Sequence, residues 1–456
     1  MIENKKFIAG NVGLIILTSL SVIVLIVSVI LTTNWSVAKK EVPSSNVVNT
    51  IYVPNNTPTS TSVVSQVSTP TPRPASPTAP IKTSVELNSC EEINKPGEYS
   101  LVADITNTKS GPCIKFQDVS NVSLDCQNHT VTSKNEDYNI YVKGTSDFKI
   151  YNCKLISSVS LPSDRVQHVL RIEDSRQGEL YSNTIGGSFV SVNGSTGVTI
   201  RNNIFTNEFS VFKSNNIVIK SNNFSFSNGG SINGGSIITL REGYNNSIIS
   251  NTIDGKSDGI WHGGNGQDVG VDDGITMADE NQLTIQGNII QNIWDCGIEP
   301  TGNFFDSKII GNNVKNAGYC LLGGWYWSSV KGNLIKDNIG DDMPRLFVFF
   351  RARGLRTNDQ YVYFKDNTFE NNKFLNPRLT TNVKGGGDGY IEASSFKIEA
   401  IDVPSSSIIT GNNIFKNNNF TTIASPIIFT PASMIVDGGG NVCPTTADTN
   451  FPLKCN

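Results

Sequence analysis

Ile285-Gln-Gly-Asn288-Ile-Ile290 and Ile309-Ile-Gly-Asn312-Asn-Val314 are two copies of one phrase: an aliphatic residue, two small or polar residues, Asn, one further residue, then an apolar one. The phrase recurs as Leu180 to Ile185, Ile200 to Phe205, Ile219 to Phe224, Ile248 to Ile253, Val330 to Ile335, Phe364 to Phe369 and Ile409 to Ile414. Ile150-Tyr-Asn-Cys153-Lys-Leu155 carries Cys in the Asn position. Spacings between these positions run from 19 to 45 residues, with a firm minimum and a variable surplus. Such self-similarity marks a solenoid, and a floor near twenty residues suits one turn of a parallel β-coil with loops thrown out from some turns. The β-branched and aromatic content, the period of two and the Asn/Gly punctuation favour strands over helices.

A second strand precedes each anchor by about thirteen residues. Tyr138 to Val142, Val169 to Ile172, Ile237 to Leu240, Gly274 to Met277 and Gly297 to Pro300 occupy it. Alternation turns Ile140, Leu170, Ile238, Ile275 and Ile298 inward and leaves Tyr141, Arg171, Thr239, Thr276 and Glu299 facing water. With the opening stretches Ile93 to Leu101, Cys113 to Phe116 and Asn121 to Val131, these repeats resemble the right-handed parallel β-helix superfamily, in its NosD-like and pectate-lyase-like surface members. The resemblance spans roughly residues 85 to 440 and implies an all-β fold, a right-handed single-stranded parallel β-helix. That superfamily includes polysaccharide lyases, glycoside hydrolases, phage tailspikes, adhesins and scaffolds, so the resemblance speaks to fold more than to function.

Four segments follow from composition. Residues 1–6 form a short tail expected in the cytoplasm, and residues 7–31 carry no charge and suffice to span a bilayer about 30 Å thick. A cleaved signal ending near Ser36-Val37-Ala38 is the rival, but the apolar run exceeds the usual 7 to 15 residues. Lysines flank both sides, Lys5 and Lys6 against Lys39 and Lys40, so charge does not orient the span. Residues 32–84 alternate Pro with Ser and Thr, the composition of an extended extracellular stalk. The β-helix domain is expected over 85–456, with the membrane as partner only through the N-terminal helix.

All eight cysteines lie beyond residue 89, and no CxxC is present. This is the usage of an oxidising compartment and places the C-terminal bulk at the cell surface. Cys296 and Cys320 each lie eight residues past an anchor Asn. They should therefore stack about 4.8 Å apart on neighbouring coils, within disulfide reach. Cys90 with Cys113, Cys126 with Cys153, and Cys443 with Cys455 are the simplest remaining pairs.

A net charge of −4 excludes a general nucleic-acid binder, and three histidines make a multi-histidine metal centre improbable. Chemistry is expected where the coil wall is interrupted, between Asn251 and Asn288. Asp272-Asp273-Gly274-Ile275 aligns with Asp295-Cys296-Gly297-Ile298, and Asp258 lies 14 residues ahead of Asp272. Asp258, Asp272 and Asp295 should converge as catalytic carboxylates or as oxygen ligands for calcium. Arg241, His262, Trp294, Glu299 and Trp325 are expected around them as substrate-binding groups, with Arg351 and Arg353 as a basic face that suits uronate carboxylates. The alternative for the acids is ordinary Asp-Gly turn chemistry. Two functions remain: an extracellular polysaccharide hydrolase or lyase, or a surface adhesin, scaffold or spacer without catalysis. A polygalacturonase-like Asp-Asp stands at 272 and 273, but the downstream Gly-His-Gly and Arg-Ile-Lys phrases are missing and His262 precedes the pair.

Overall fold

The computed structural model describes residues 84–453 apart from 109, 134–137, 158–167, 188, 227–231, 261–269, 327–328, 352–359, 379–393, 401–404, 421–427, 430–434 and 444–452. These residues belong to one compact unit, 79–456. The expected membrane span and nearly all of the stalk lie outside them, and among the described residues no helix is long and apolar enough to cross a membrane.

Successive turns of chain lay strand on strand into sheets of 14, 13, 11 and five parallel strands among the described residues. Each of the three long sheets collects one side of successive coils. The inner face of the 13-stranded sheet carries Ile140, Leu170, Val190, Phe209, Ile238, Ile275 and Ile298 in register on consecutive coils. All are at most 1% exposed, so the alternation read from sequence is the core. Facing sheets add ring stacks such as Phe205 on Phe224, 4.7 Å apart, and Phe369 on Phe415, 4.4 Å apart. Each buried Phe contributes roughly 2–3 kcal/mol of transfer free energy.

At the corner between the 14- and 11-stranded sheets the chain turns too sharply for main-chain pairing, and a column of buried amides replaces it. Asn251 N–H and its Nδ2 donate to Asn288 Oδ1 at 2.9 and 3.0 Å, while Asn288 does the same to Asn312. Each Nδ2 also donates to a carbonyl of an earlier coil, as Asn288 does to Ile248 at 2.9 Å. The column starts at Cys153, whose N–H donates to Asn183, and climbs through Asn203 and Asn222 to Asn338, Asn372, Asn418 and Asn441. The residue before each rung is left-handed, for example Ser250 at φ 53° and Gly311 at φ 63°. That conformation selects Ser, Asn, Asp or Gly in the phrase.

Beyond Asn312 the expected anchors are displaced. Asn338, not Asn333, continues the column, and Asn333 starts a second one with Ser307 below and Asn367 and Asn413 above. In these coils the phrase occurs twice in tandem, Val330-Lys-Gly-Asn333-Leu-Ile335-Lys-Asp-Asn338. The extra corner gives the coil a fourth side, the five-stranded sheet through Glu280–Asn281, Phe304–Phe305, Val330–Lys331, Val362–Lys365 and Ile408–Gly411.

Disulfides join Cys90 to Cys113, Cys126 to Cys153 and Cys296 to Cys320, with Cα separations of 4.5, 4.7 and 4.5 Å. Cys443 is also disulfide-bonded, while Cys455 lies outside the described residues. Beside the second corner Glu280 is fully buried, filling space left by the missing side chain of Gly243 and accepting from Asn246 Nδ2 at 3.1 Å. Burial raises its pKa to about 7.

Two outcomes test this frame. Asn288→Ala strands the N–H of Asn251 and removes the amide donor to the carbonyl of Ile248, so chemical denaturation should report a loss of about 2–4 kcal/mol. The unfolded chain releases the Glu280 proton near pH 4.5 and the folded chain near pH 7, so its burial lowers stability increasingly across that interval. Glu280→Gln should leave stability unchanged at pH 4 and raise it by about 2 kcal/mol at pH 8 in melts at the two pH values.

Candidate functional site

The register that aligns Ile275 with Ile298 also sets Asp272 beside Asp295 and Asp273 beside Cys296 on adjacent coils. Backbone bonding confirms it: Asp295 N–H donates to the Asp272 carbonyl at 3.0 Å and Cys296 N–H to Asp273 Oδ1 at 3.3 Å. Two like charges are thus held directly opposite, a destabilising arrangement in a sheet. Carboxylate oxygens of Asp272, Asp273 and Asp295 all lie within 4.8 Å of one another. Asp272 and Asp295 are half-buried, whereas Asp273 is buried.

Asp273 sits in a polar cradle. Thr276 Oγ1 donates to its Oδ2 at 3.0 Å, and Ser236, in register with Asp273 on the preceding coil, bonds to the Thr276 hydroxyl. Glu299, one coil on and in register with Thr276, is hydrogen-bonded to Asp273. Burial raises the pKa of Asp273. Burial first, then the charge of Asp273, drives that of Glu299 well above the usual carboxyl range, and Asp295 and Asp272 add to it. Both carboxyls are thus pushed toward the neutral form, Glu299 the more strongly.

Glu299 and Thr276 are 8% and 5% exposed, so the outer face, expected to meet water, is sheltered here. Trp294, Tyr319, Val348 and the Cys296–Cys320 bridge are likewise buried yet separate from the core inside the coil. Arg345 joins this outer layer, 4% exposed, its guanidinium 4.8 Å from the Tyr319 ring centre. Together they stiffen the strands that carry the acids.

Of the residues named from sequence, Asp272, Asp295 and Glu299 are together. Asp258 is exposed in its own turn, accepting from Ile260 N–H at 2.9 Å, and is not a member of the close carboxylate group. Trp294 is buried rather than displayed as a platform. Arg241 is exposed on the same sheet, one strand position beyond Leu240. His262 and Arg353 lie outside the described residues, and Trp325 and Arg351 are described only as strand backbone. Sequence reasoning passed over Asp273, Ser236 and Thr276. The aligned Asp-Asp/Asp-Cys pairs carried the signal for Asp273. Three close carboxylates are suitable oxygen ligands for a hard cation such as calcium. Carboxyls grouped this closely equally suit proton transfer.

No protein-family model matches the chain, and no curated protein sequence is similar to it. Solved structures with a similar course include a surface adhesin of Streptococcus pneumoniae, PfbA, at 13% identity, covering 67% of this chain and 76% of that one with a TM-score of 0.43. An exopolygalacturonase from Thermotoga maritima is 10% identical over 63% of this chain and 79% of that one, with a TM-score of 0.42. The catalytic domain of a GH87 α-1,3-glucanase is 12% identical over 81% and 70%, with a TM-score of 0.45. No activity passes from any of them to this chain at this level of likeness. The coil of parallel sheets itself places the fold with the parallel β-helix proteins that the repeats resemble.

Relief of the Asp272–Asp295 repulsion is measurable. Asp295→Asn should raise stability by about 1 kcal/mol at pH 7 in chemical denaturation.

Proposed function

We propose that this chain is an extracellular β-helix protein that binds polysaccharide and hydrolyses it at the carboxyl cluster on the 13-stranded sheet. The observation that carries this reading is the close group of Asp272, Asp273 and Asp295 carboxylates on adjacent coils, with Glu299 buried nearby and its carboxyl driven well above the usual range. Asp272 and Asp295, which reach solvent, are the groups that meet the sugar. In such a group one carboxyl can act as general acid while another stabilises developing positive charge. Close carboxyls favour a retaining over an inverting hydrolase, since inverting pairs stand about 6.5–9.5 Å apart to admit water. A lyase is less well supported, because it calls for a cationic base, and Arg345 is packed against Tyr319. Disulfides support the extracellular placement. Residues 7–31 are proposed as the membrane anchor, with 32–84 as the stalk.

The second reading, a binding protein without catalysis, draws on the same hydrogen bonds that lock Asp273 in place. The test is release of reducing ends or unsaturated products from acidic and neutral polysaccharides, with calcium and with chelator. Wild type should cleave at least one substrate, and Asp272→Asn and Asp295→Asn should each lower kcat by about a thousandfold while remaining folded. Glycan binding without product, unchanged in both variants, would exclude hydrolysis at this site.

A further inference from the structure

Ahead of Asp272 the chain climbs a corner instead of crossing it. Thr252–Asp254 ends a turn of the 11-stranded sheet, and beyond it Gly255 N–H donates to the Gln291 carbonyl at 3.0 Å and Ser257 N–H to that of Asn292 at 2.9 Å. At Gly259, φ 73°, it has reached the coil beyond, where a Cβ would collide with the carbonyl and side-chain oxygens of Asn316. Ser257 Oγ accepts from Gly259 N–H at 3.0 Å, and Gly255, Ser257 and Gly259 are all buried. Residues 255–260 thus form a strap over the corner that leads into Trp294 and Asp295.

Arg378, 119 residues on, pins the far end of this strap. Its Nη1 donates to the Gly259 carbonyl, and Nη2 to Asn316 Oδ1. Nη2 also donates to the Asp342 carbonyl at 2.7 Å, and Nε to Asp342 Oδ1 at 3.0 Å. The Arg378 N–H is fixed to the Met343 carbonyl at 2.9 Å. Below, Asn316 Nδ2 donates to Asn292 Oδ1 and Asn292 Nδ2 to Asp254 Oδ1, both at 2.9 Å, so one polar chain runs down the outside of the corner. Only a guanidinium presents donors in a fork that meets three residues at once.

The root of the strap is also where the wall resumes. A Cβ on Gly270, φ 87°, would meet the Gly255 carbonyl and the Ser257 nitrogen, and Val271 N–H donates to the Gly255 carbonyl at 3.2 Å. Asp272 comes next. On the side of the preceding coil its pairing is interrupted, because Ile232 pairs with Val271 and Ser236 with Asp273, with a register shift between them. The neck formed by 255–259 and 270–271 therefore sets the place of Asp272 where the sheet does not.

We propose that Arg378 is a positioning residue: by clasping Gly259 to Asn316 and Asp342 it keeps the strap closed and holds the Asp272 carboxylate opposite Asp295. The inference rests on the proposed hydrolase for its kinetic consequence alone.

The repulsion between Asp272 and Asp295 serves as the ruler in a double-mutant cycle. Asp295→Asn should raise the denaturation midpoint in the parent protein and lose at least half of that shift in combination with Arg378→Met, since the two carboxylates are then no longer held opposite. Gly259→Ala, which forces the strap off Asn316 and leaves the Arg378–Asp342 pair intact, should have the same effect. In both single variants the Gly259 and Val271 amides should exchange with solvent at least about tenfold faster, with those of Asn251 and Asn288 unchanged. On a polysaccharide that the wild type cleaves, each should lower kcat about 10- to 100-fold with KM within about twofold, the effect of a misplaced reacting group. Arg378→Lys, which keeps a charge beside Asp342 without the fork, should give an intermediate kcat, and it takes the place of Arg378→Met in the cycle if the latter does not fold. An Asp295→Asn shift that is the same with and without Arg378, or unchanged exchange at Gly259 and Val271, would overturn the clasp whether or not the wild type hydrolyses anything. Exchange and cycle as expected, with no product released by the wild type from any polysaccharide, would remove the hydrolase and uphold the clasp.

Discussion

The amide column at one corner is the constraint on which the molecule depends. A solenoid turning about every 20 residues must break its sheet hydrogen bonds at each corner, and these corners are buried against the next coil. Each Asn supplies one oxygen and one NH₂ group at that point, so that it bonds both the N–H of the rung below and a carbonyl three residues earlier in that same coil. Because the bonds run from coil to coil, they fix axial register as well as turn shape. No other uncharged side chain of that length offers an acceptor and two donors together, which is why Asn recurs where the apolar residues around it vary.

Register, once fixed, decides the chemistry. Parallel in-register stacking repeats whatever the sequence places at a position, so acids spaced by one coil length stand side by side without any folding of loops around them. The sheet tolerates Asp272 against Asp295 because they keep access to solvent, while Asp273 and Glu299, lacking it, are pushed toward the neutral form by burial. Stability and reactivity are thus opposed locally within one sheet, and its buried outer layer of Trp294, Tyr319, Arg345 and the Cys296–Cys320 bridge holds the acids in place.

Much of this was legible from residues alone. The inward column at Ile140, Leu170, Ile238, Ile275 and Ile298 follows from alternation, and the Cys296–Cys320 pairing follows from equal offsets to Asn288 and Asn312. The reading slipped at Asn333 because two phrases stand in tandem there, and a period search locks on the first although the column continues through the second. The site was half legible. Alternation predicts direction only along a regular strand, whereas at Asp273 and Gly274 the chain is rounding a corner: Asp273 reaches the outer Thr276, and a Cβ on Gly274 would meet the core residue Ile290. Burial of Trp294 and Glu299 on the outer face is a tertiary fact that no strand pattern encodes.

The disulfides have a mechanical reading. In a solenoid each coil touches only its neighbours, so tension applied at one end peels turns off singly, each giving way at the strength of a single interface. The bridges Cys90–Cys113 and Cys126–Cys153 tie together coils at the N-terminal end, where any pull transmitted through residues ahead of 84 arrives. Cys153 is also the bottom rung of the amide column, so the place where unzipping of that column would begin is closed covalently. Pulled from its N-terminal end, such a molecule should behave as a latch there, with extension limited by covalent bonds before any coil that bears the acids is disturbed.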